Sequence, residues 1–302
     1  MVTELPSLSA DTLSGSAPPA SRHESIELHR MWHSEEGILL AKGKPGADSA
    51  AAVTSQIAGK SLIQLASELY GEAPVFWGRY FTSITQRGNV EYRHLKEDRP
   101  LRDKGIRVAP IARQTRRVQG TRADGSADAI RNAADYIATF GADYLASQGK
   151  SFFVFLDVEG APSLSKEYYA GWAATLADYS SAMTKGSVKL VPCVYATQAD
   201  NSTWAALAAA AASGVICGGA WIARWRFRGC HALEDWDPKA VNPRVPLPCP
   251  VLIWQYADDC HGGAGFDCSQ TNPALDLEAD LLAHLVLPPP SSGPYLERRL
   301  PT

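Results

Sequence analysis

Two carboxylic acids stand two residues apart at the end of the most apolar segment of the chain. The segment spans residues 152–156 (FFVFL), and Asp157 and Glu159 follow it. Side chains at positions i and i+2 of a strand point to the same side, so we expect the two carboxyl groups to emerge together. Crowded carboxyl groups separate their pKa values, and one of them can then stay protonated as a general acid. Such a pair is what glycoside hydrolysis requires.

A purely structural explanation of the same two residues stays open. In it, Asp157 caps the following loop and Glu159 is solvated on that loop, so neither residue does chemistry. In a barrel of parallel strands, however, the carboxyl ends of all strands form one face, and catalytic residues lie on that face. The residues at the ends of the other predicted strands therefore help to decide between the two explanations.

Aromatic and polar side chains occur at the ends of those other strands. Tryptophan and tyrosine offer a flat apolar face to a sugar ring and a polar edge to its hydroxyl groups. The residues predicted to bind substrate on this basis are Arg79, Tyr80, Tyr195, Trp221, Arg224, Trp254, Gln255 and Tyr256. Two other tryptophans, Trp77 and Trp225, are expected to pack between the barrel and its helices instead.

Short apolar segments alternate with helical patterns along the chain, which is typical of βαβ units around a parallel sheet. The predicted strands are 75–81, 106–111, 152–158, 189–195, 219–224, 251–256, a short one near Phe266 and one before Asp48. Seven or eight strand and helix pairs in about 240 residues indicate an α/β fold, a single TIM-type (β/α)8 barrel that tolerates shortened or missing late helices. A doubly wound open sheet is the alternative, but no glycine-rich phosphate loop follows any strand.

Capping residues give the expected helix limits. The predicted helix starts are Ser126, Ser165 and Ser202, and the predicted ends are Gly141 and Gly214. A last helix is predicted over 274–287, with Pro273 near its first turn and Pro288 stopping it. Residues 1–44, rich in Ser, Ala, Pro and charge, are interpreted as an N-terminal extension, 45–287 as the barrel and 288–302 as a tail.

The composition narrows the classes of function. The 302 residues are 45% apolar and 20% charged, enough to bury a large core. A formal charge of −3 does not match a nucleic-acid binder, so a neutral or mixed partner is expected. No apolar run reaches the roughly 18 residues that would span a bilayer, and the N-terminus lacks the pattern of a secretory signal. Action outside the producing cell would then require a route without such a signal, or a signal already removed.

No cofactor or metal site is predicted. Six cysteines occupy the second half without CxxC spacing, and they are Cys193, Cys217, Cys230, Cys249, Cys260 and Cys268. The first two lie in apolar segments, and the other four lie in loops where reduced thiols and one or two disulfides are equally plausible. Residues 258–261 (DDCH) are explained by a hairpin-like loop rather than an ion site. Four arginines (Arg113, Arg116, Arg117 and Arg122) are interpreted as a solvated loop, with a role at the catalytic face as the alternative.

The motifs taken together resemble a known family. The series is 155–159 (FLDVE), 194–196 (VYA), 221–225 (WIARW), 254–256 (WQY) and 265–267 (GFD). In this order and spacing it resembles the family 25 lysozymes. It is more similar still to a related glycoside-hydrolase-like TIM-barrel family of unknown function, where the match extends through 75–80 (VFWGRY), 105–111 (GIRVAPI) and the helix 128–141. The resemblance covers about 46–286.

The resemblance implies roles for four acidic residues. Glu159 corresponds to the general acid and Asp157 to a carboxylate that steadies charge or orients the reacting group. Asp267 is the acidic residue of the last strand. Asp48 is matched to the first-strand aspartate, although residues 41–45 (AKGKP) depart from the apolar opening strand of the family.

Two functions follow as hypotheses. The first is a lysozyme-like hydrolase that cleaves a β-1,4 bond next to N-acetylmuramic acid in peptidoglycan, outside the producing cell or at its envelope. The second is a non-catalytic module that keeps the barrel and binds a wall glycan. The sequence favours the hydrolase, since a binding module has no need of both Asp157 and Glu159. In either case the partner is a polysaccharide, and the oligomeric state is left open.

Overall fold

The structure is a computed structural model that describes residues 41–81, 91–114, 117–159 and 162–290. The N-terminal extension and the C-terminal tail predicted above lie outside these residues, except for 41–44 and 288–290. Arg116 of the arginine group also lies outside them.

Eight strands close into a barrel, as the sequence predicts. The barrel strands are β1 (Pro45–Asp48), β4 (Phe76–Phe81), β5 (Arg107–Arg113), β6 (Ser151–Asp157), β7 (Lys189–Thr197), β8 (Ala220–Arg228), β9 (Val251–Cys260) and β10 (Phe266–Thr271). A separate hairpin consists of β2 (Gln56–Ile57) and β3 (Lys60–Ser61). The strands from β4 to β9 pair in parallel with their chain neighbours, and β1 pairs in parallel with β4. The fold is an α/β barrel of the TIM type.

The last strand runs against the others. β10 is antiparallel to both β9 and β1. A tight hairpin joins β9 to β10, and Asp259 and His261 take positive φ angles of 64° and 67° there. Parallel strands need a long crossover, whereas a hairpin reverses the chain within a few residues. The start of β10 therefore lies at the face where the other strands end, which the prediction of a (β/α)8 barrel did not contain.

The helices lie between the strands, and several begin where capping residues dictate. Their limits are α1 (Leu62–Tyr70), α2 (His94–Asp103), α3 (Arg122–Phe140), α4 (Ala142–Gln148), α5 (Lys166–Met183), α6 (Asn201–Ala211) and α7 (Pro238–Val241). Ser165 caps α5 as predicted. The predicted start at Ser126 is wrong, because Thr121 and Asp124 form a capping box that starts α3 earlier. Asp200, rather than Ser202, caps α6.

The late part of the barrel has little helix. Only the four-residue α7 lies between β8 and β9. The α-helix predicted over 274–287 is wrong: a π turn (Leu277–Leu281) and a 3-10 turn (Leu282–His284) occupy this region. Beyond them, the backbone N–H of Val108 donates to Val286 O at 2.8 Å. This extended pairing with β5 cannot coexist with a helix that continues through Val286.

Apolar side chains fill the barrel and the layer around it. Trp221 lies at the centre of the inner layer, with its ring centroid 5.5 Å from Phe76, 5.5 Å from Phe155 and 5.0 Å from Tyr195. Gly78 makes room for this ring, because a Cβ there would lie 2.6 Å from Trp221 and from Asp48. The absence of a side chain at position 78 therefore leaves room for both the indole and the first acidic residue of the barrel.

Candidate active site

Four carboxylic acids meet at the face where the parallel strands end. Asp48 ends β1, Asp157 ends β6, Glu159 follows β6, and Asp267 is the second residue of the reversed β10. Burial raises the pKa of Asp48 well above its usual range, and the charges of Asp267, Glu159 and Asp157 raise it further. We call these four residues the carboxylate cluster. The sequence predicted all four, and the structure brings them together.

Gln255 of β9 links two members of the cluster. Its Nε2 donates to Asp48 Oδ1 at 3.0 Å and to Asp267 Oδ2 at 3.2 Å. Its Oε1 accepts a 2.7 Å hydrogen bond from the indole N–H of Trp225. Because carboxylates accept and an indole N–H only donates, these partners fix the orientation of the amide. The backbone N–H of Asp259 in the hairpin donates to Asp267 Oδ1 at 2.7 Å and holds the other side of that carboxylate.

The register of the sheet lines up a row of polar side chains next to Asp157. Arg113 of β5 pairs with Asp157, Asp157 with Tyr195 of β7, and Tyr195 with Trp221 of β8. Arg113 Nε lies 3.6 Å from Asp157 Oδ2, and its guanidinium lies 5.3 Å from the centre of the Tyr80 ring. Paired residues of neighbouring strands point the same way, so this row faces the cluster.

Asp157 and Glu159 differ in their proton affinity. Burial raises the pKa of Asp157 to about 6, against the opposing effects of the Glu159 backbone N–H and of Arg113. Burial and then the charge of Asp157 raise the pKa of Glu159 to about 8, which the nearby Tyr195 hydroxyl and Arg113 counteract only in part. These shifts favour a protonated Glu159 beside an ionised Asp157 near neutral pH. This is the division of roles that an acid and its partner carboxylate need.

Asp157 also makes the contact expected from the structural explanation. Its Oδ1 accepts a 2.9 Å hydrogen bond from the backbone N–H of Glu159, so Asp157 does cap the turn after β6. Its Oδ2 faces Arg113 instead. One carboxylate oxygen of Asp157 thus holds the turn that carries Glu159, while the other oxygen lies beside Arg113 in the row of polar side chains.

Three buried polar atoms of the site lack a well-formed hydrogen bond among the described residues, although the Tyr195 hydroxyl lies close enough to Glu159 to lower the pKa of that carboxyl. They are Glu159 Oε1, the Tyr195 hydroxyl and the Trp221 indole nitrogen. A buried polar atom without a partner costs about 1–3 kcal/mol, so proteins rarely keep such atoms without a use. Donors and acceptors grouped around a carboxyl are what a ligand rich in hydroxyl groups would satisfy.

The structure separates the other predicted site residues into two groups. Tyr80, Tyr195, Trp221 and Gln255 are buried beside the carboxylate cluster. Burial raises the pKa of Tyr80, and the nearby charges of Asp157, Asp48 and Glu159 raise it further. Arg79, Arg224, Trp254 and Tyr256 make other contacts.

Arg79 is held in a buried ion pair away from the predicted rim. Its Nε lies 2.8 Å from Glu97 Oε2, and both side chains are fully buried. Its Nη1 donates to Ser49 O at 2.5 Å, directly after Asp48 in the chain. Breaking such a buried pair costs about 3–5 kcal/mol. Arg79 thus anchors the loop after β1 and is not available to bind substrate.

Strand alternation turns the remaining three predicted residues outward. Trp254 packs its ring against Trp236 and Tyr256 in the outer layer, and its indole N–H donates to Arg224 O at 3.0 Å. The Arg224 side chain is exposed, with Nη1 3.4 Å from Trp225 O. On β9 Gln255 points inward, so Trp254 and Tyr256 point outward; on β8 Trp221, Ala223 and Trp225 share the inward side, which turns Arg224 outward.

Two residues join the site although the sequence analysis put them elsewhere. The sequence pattern favours a solvated loop for Arg113, but Arg113 is the last residue of β5 and lies beside Asp157. Trp225 was expected to pack beneath the helices, but it is 41% exposed and bonded to Gln255. Counting in steps of two from Ile111 and from Trp221 would have indicated both positions.

The described cysteines and acids show one group with metal-ligand spacing. The potential ligand atoms of Cys230, Cys260 and His261 lie within 4.8 Å of one another. The two sulfurs are joined in a disulfide, however, which removes the thiolates that a metal would need. Residues 258–260 end β9 and His261 begins the turn to β10, so the hairpin-like loop that the sequence predicted starts only at the last of these four residues.

None of the helices in the described ranges is both long enough and apolar enough to cross a membrane.

Comparison with known proteins gives structural neighbours only. No family model matches the chain, and no curated protein matches it. An uncharacterised protein of B. stearothermophilus, solved as a crystal structure, is 25% identical, with a TM-score of 0.60 over 81% of this chain and 100% of its own. The spore cortex lytic enzyme SleM of Clostridium perfringens is 18% identical, with a TM-score of 0.47 over 80% and 70%. The muramidase of Acremonium alcalophilum is 16% identical, with a TM-score of 0.44 over 80% and 99%.

Proposed function

We propose that this chain is a glycoside hydrolase that cleaves a cell-wall glycan of the peptidoglycan type. The observation that carries the proposal is the position of Asp157 and Glu159 at one strand end, grouped with Asp48 and Asp267 at the face where the parallel strands end. Burial raises the pKa of both acids, and the charge of Asp157 raises that of Glu159 further, to about 8 against about 6 for Asp157, which favours Glu159 as the proton donor. The resemblance of the motifs to the family 25 lysozymes supports the same assignment.

The reaction follows from these two protonation states. Glu159 donates its proton to the glycosidic oxygen as the bond to the leaving sugar breaks. Positive charge develops at the anomeric carbon, and the Asp157 carboxylate stabilises it or orients an acetamido group of the substrate that assists. The backbone N–H of Glu159 and the charge of Arg113 favour the ionised form of Asp157 against the effect of burial. The buried Tyr195 hydroxyl acts on Glu159, where it partly offsets the rise in the pKa of that carboxyl.

The remaining polar groups are proposed to bind the glycan. Asp48 and Asp267, held by Gln255, present carboxyl oxygens to sugar hydroxyls. The exposed face of Trp225 can stack on a sugar ring while its indole N–H stays bonded to Gln255. Arg113, with a side chain 24% exposed, can meet an anionic group on the glycan.

A non-catalytic glycan-binding module is the second candidate, and one observation favours it. Tyr80, Tyr195 and Trp221 are at most 7% exposed, so they present little ring surface to a substrate. Trp225 is then the main exposed aromatic platform among the described site residues. A binding module would use that platform and would not depend on the proton of Glu159.

The deciding experiment is the release of soluble muropeptides from purified peptidoglycan between pH 5 and 8. The parent is compared with Glu159→Gln and with Glu167→Gln, a matched change at an exposed position on α5. We expect the Glu159 variant to lose about a hundredfold or more in rate and the Glu167 variant to keep the parent rate. If the parent releases nothing but sediments with the same peptidoglycan, the binding module is correct. A parent protein that neither releases muropeptides nor sediments with peptidoglycan would refute the wall glycan as partner.

A further inference from the structure

Two thiols outside the carboxylate cluster lie in direct contact. Cys217 Sγ and Cys249 Sγ are 3.0 Å apart, and both cysteines are free and partly exposed. A disulfide bond measures about 2.0 Å between sulfurs, so the pair is unbonded but within reach of bonding. The other two free cysteines, Cys193 and Cys268, are fully buried.

The two thiols lie at the amino ends of neighbouring strands. Cys217 precedes β8 by three residues and Cys249 precedes β9 by two. The backbone N–H of Ala220 donates to Pro250 O at 2.9 Å, which already holds these two strand starts together. The contact is therefore a fixed feature of the barrel wall, on the face opposite to the carboxylate cluster.

The existing disulfide joins the same two strands at their other ends. Cys230 follows β8 by two residues, and Cys260 is the last residue of β9. In sequence the two pairs interleave, because Cys230 lies between Cys217 and Cys249 and Cys260 lies beyond them. The long excursion between β8 and β9 carries only the four-residue α7 in place of a full crossover helix. Because no full helix covers β8 and β9, a disulfide at each end of this strand pair would add to its stability.

We propose that Cys217 and Cys249 form a second disulfide, which fastens the amino ends of β8 and β9 as Cys230–Cys260 fastens their carboxyl ends. The reaction is thiol–disulfide exchange with a small disulfide such as oxidised glutathione. The thiolate of Cys217 attacks one glutathione sulfur and releases one glutathione. The thiolate of Cys249 then attacks the Cys217 sulfur and releases the second. Two protein thiols are oxidised, one glutathione disulfide is reduced to two thiols, and the two protons pass to these products.

The order of attack follows from the environment of the pair. The hydrogen bond between the two thiols lowers the pKa of Cys217 and raises that of Cys249. Because the thiolate is the nucleophile, Cys217 reacts first. Its partial exposure lets glutathione reach it, whereas burial protects Cys193 and Cys268.

The test starts with the full chain in glutathione buffers of graded potential. Each sample is quenched in acid, alkylated after denaturation and digested without reduction. We expect a linked peptide that joins Cys217 to Cys249, and a fall in alkylated cysteines from four to two, with Cys193 and Cys268 still labelled. Glutathione held on Cys217 alone, or four labelled cysteines at every potential, would refute the proposal.

The thermal midpoint gives a second measurement. A disulfide between residues 32 positions apart closes a loop of the chain. It should raise the Tm of the oxidised chain by about 5–10 °C relative to Cys217→Ser in the same oxidising buffer. The Tm of Cys249→Ser should be lower than that of the oxidised parent by the same amount. The Tm of the double variant should be no lower than that of either single variant, because all three lack the same disulfide. Losses that add in the double variant would show that each thiol acts only through its own packing.

Discussion

Asp48 and Asp267 face each other across the antiparallel pairing of β1 and β10, and both accept a hydrogen bond from the same amide nitrogen of Gln255. Two buried acids so close together cannot both ionise at low cost. Burial raises the pKa of Asp267 to about 6, and the charge of Asp267 raises the pKa of Asp48 further. The shared donor is the main favourable partner that the two carboxyls have in common.

Replacing Gln255 with Leu should therefore destabilise the barrel. The change removes the donor to both carboxyls and the acceptor of the Trp225 indole, so we expect a loss of about 1–3 kcal/mol in the free energy of unfolding. The loss should be larger at pH 8 than at pH 5, because protonation relieves the repulsion between the two acids. Urea denaturation at both pH values measures it. Equal losses at both would contradict a role for Gln255 in holding the acids.

The rate of glycan hydrolysis should follow a bell-shaped pH profile. Its acidic limb reports ionisation of Asp157 near pH 6, and its alkaline limb reports deprotonation of Glu159 near pH 8. Because the charge of Asp157 raises the pKa of Glu159, Asp157→Asn should move the titration of Glu159 to lower pH. Carbon NMR of the labelled glutamate carboxyl follows this shift even if the variant is inactive. An unchanged titration would mean that the two acids are not coupled.

Stability should fall as the pH rises from about 4 to 8. Asp157, Glu159 and Asp267 all have folded pKa values above their usual ones, so the folded chain binds more protons than the unfolded chain in this interval. Each group contributes up to about 1.4 kcal/mol per pH unit between its two pKa values. Denaturant titrations of the parent, of Glu159→Gln and of Glu167→Gln test this. Only Glu159→Gln should flatten the dependence above pH 6.

Replacing Trp225 with Ala should weaken glycan binding. The exposed ring is proposed to stack on a sugar, so we expect the Kd for soluble wall fragments to rise about tenfold, equivalent to about 1.4 kcal/mol. Trp225→Phe keeps a ring but loses the bond to Gln255, and it should retain most of the binding. Leu95→Ala, at another exposed apolar position, is the control. Calorimetry with an unchanged Kd for Trp225→Ala would rule out the stacking role.

A methyl group at position 78 should displace Asp48 and the Trp221 ring, which pack around Gly78. In Gly78→Ala the new Cβ would lie 2.6 Å from Asp48 and from Trp221, so we expect a destabilisation of about 1–3 kcal/mol and reduced activity. Gly263→Ala is the matched control, since nothing lies within 4 Å of the Cβ there. Thermal unfolding of both variants gives the comparison. A Gly78 variant as stable as the control would mean that the inner layer can repack.

Much of this architecture could be predicted because strands that are buried on both faces appear in the sequence as continuous apolar segments. The six long apolar runs became the strands β4 to β9, and the acids Asp157 and Glu159 follow the run that is most apolar. The short strands β1 (PGAD) and β10 (FDCSQT) are not apolar runs, and the sequence locates them only through Asp48 and Phe266. The direction of β10 could not be predicted, since a run of six residues carries no sign of its orientation. The reversal depends on the hairpin at Asp259 and His261, whose backbone conformation ordinary residues adopt rarely.

The misplaced site residues have a common cause. The residues of one strand end do not share a direction, because alternation sends Gln255 inward and Trp254 and Tyr256 outward. Arg79 illustrates a second limit, because its buried partner Glu97 lies on α2, 18 residues away, and no local pattern shows that pairing. The predicted helix over 274–287 had good helical composition, but tertiary pairing of Val286 with Val108 overrode it.

The reversed β10 also determines which face of the barrel is turned toward a surface or a fused module to which the chain is attached. Pro45 at the start of β1 pairs with Gln270 near the end of β10, so the first and last strands join the rest of the chain side by side. Both junctions lie at the edge where the parallel strands begin, and the four acids lie at the opposite edge. A surface or a fused module tethered next to either junction would leave the acids pointing away from the anchor. An immobilised form of the protein would then present its acids outward toward a large, insoluble polymer.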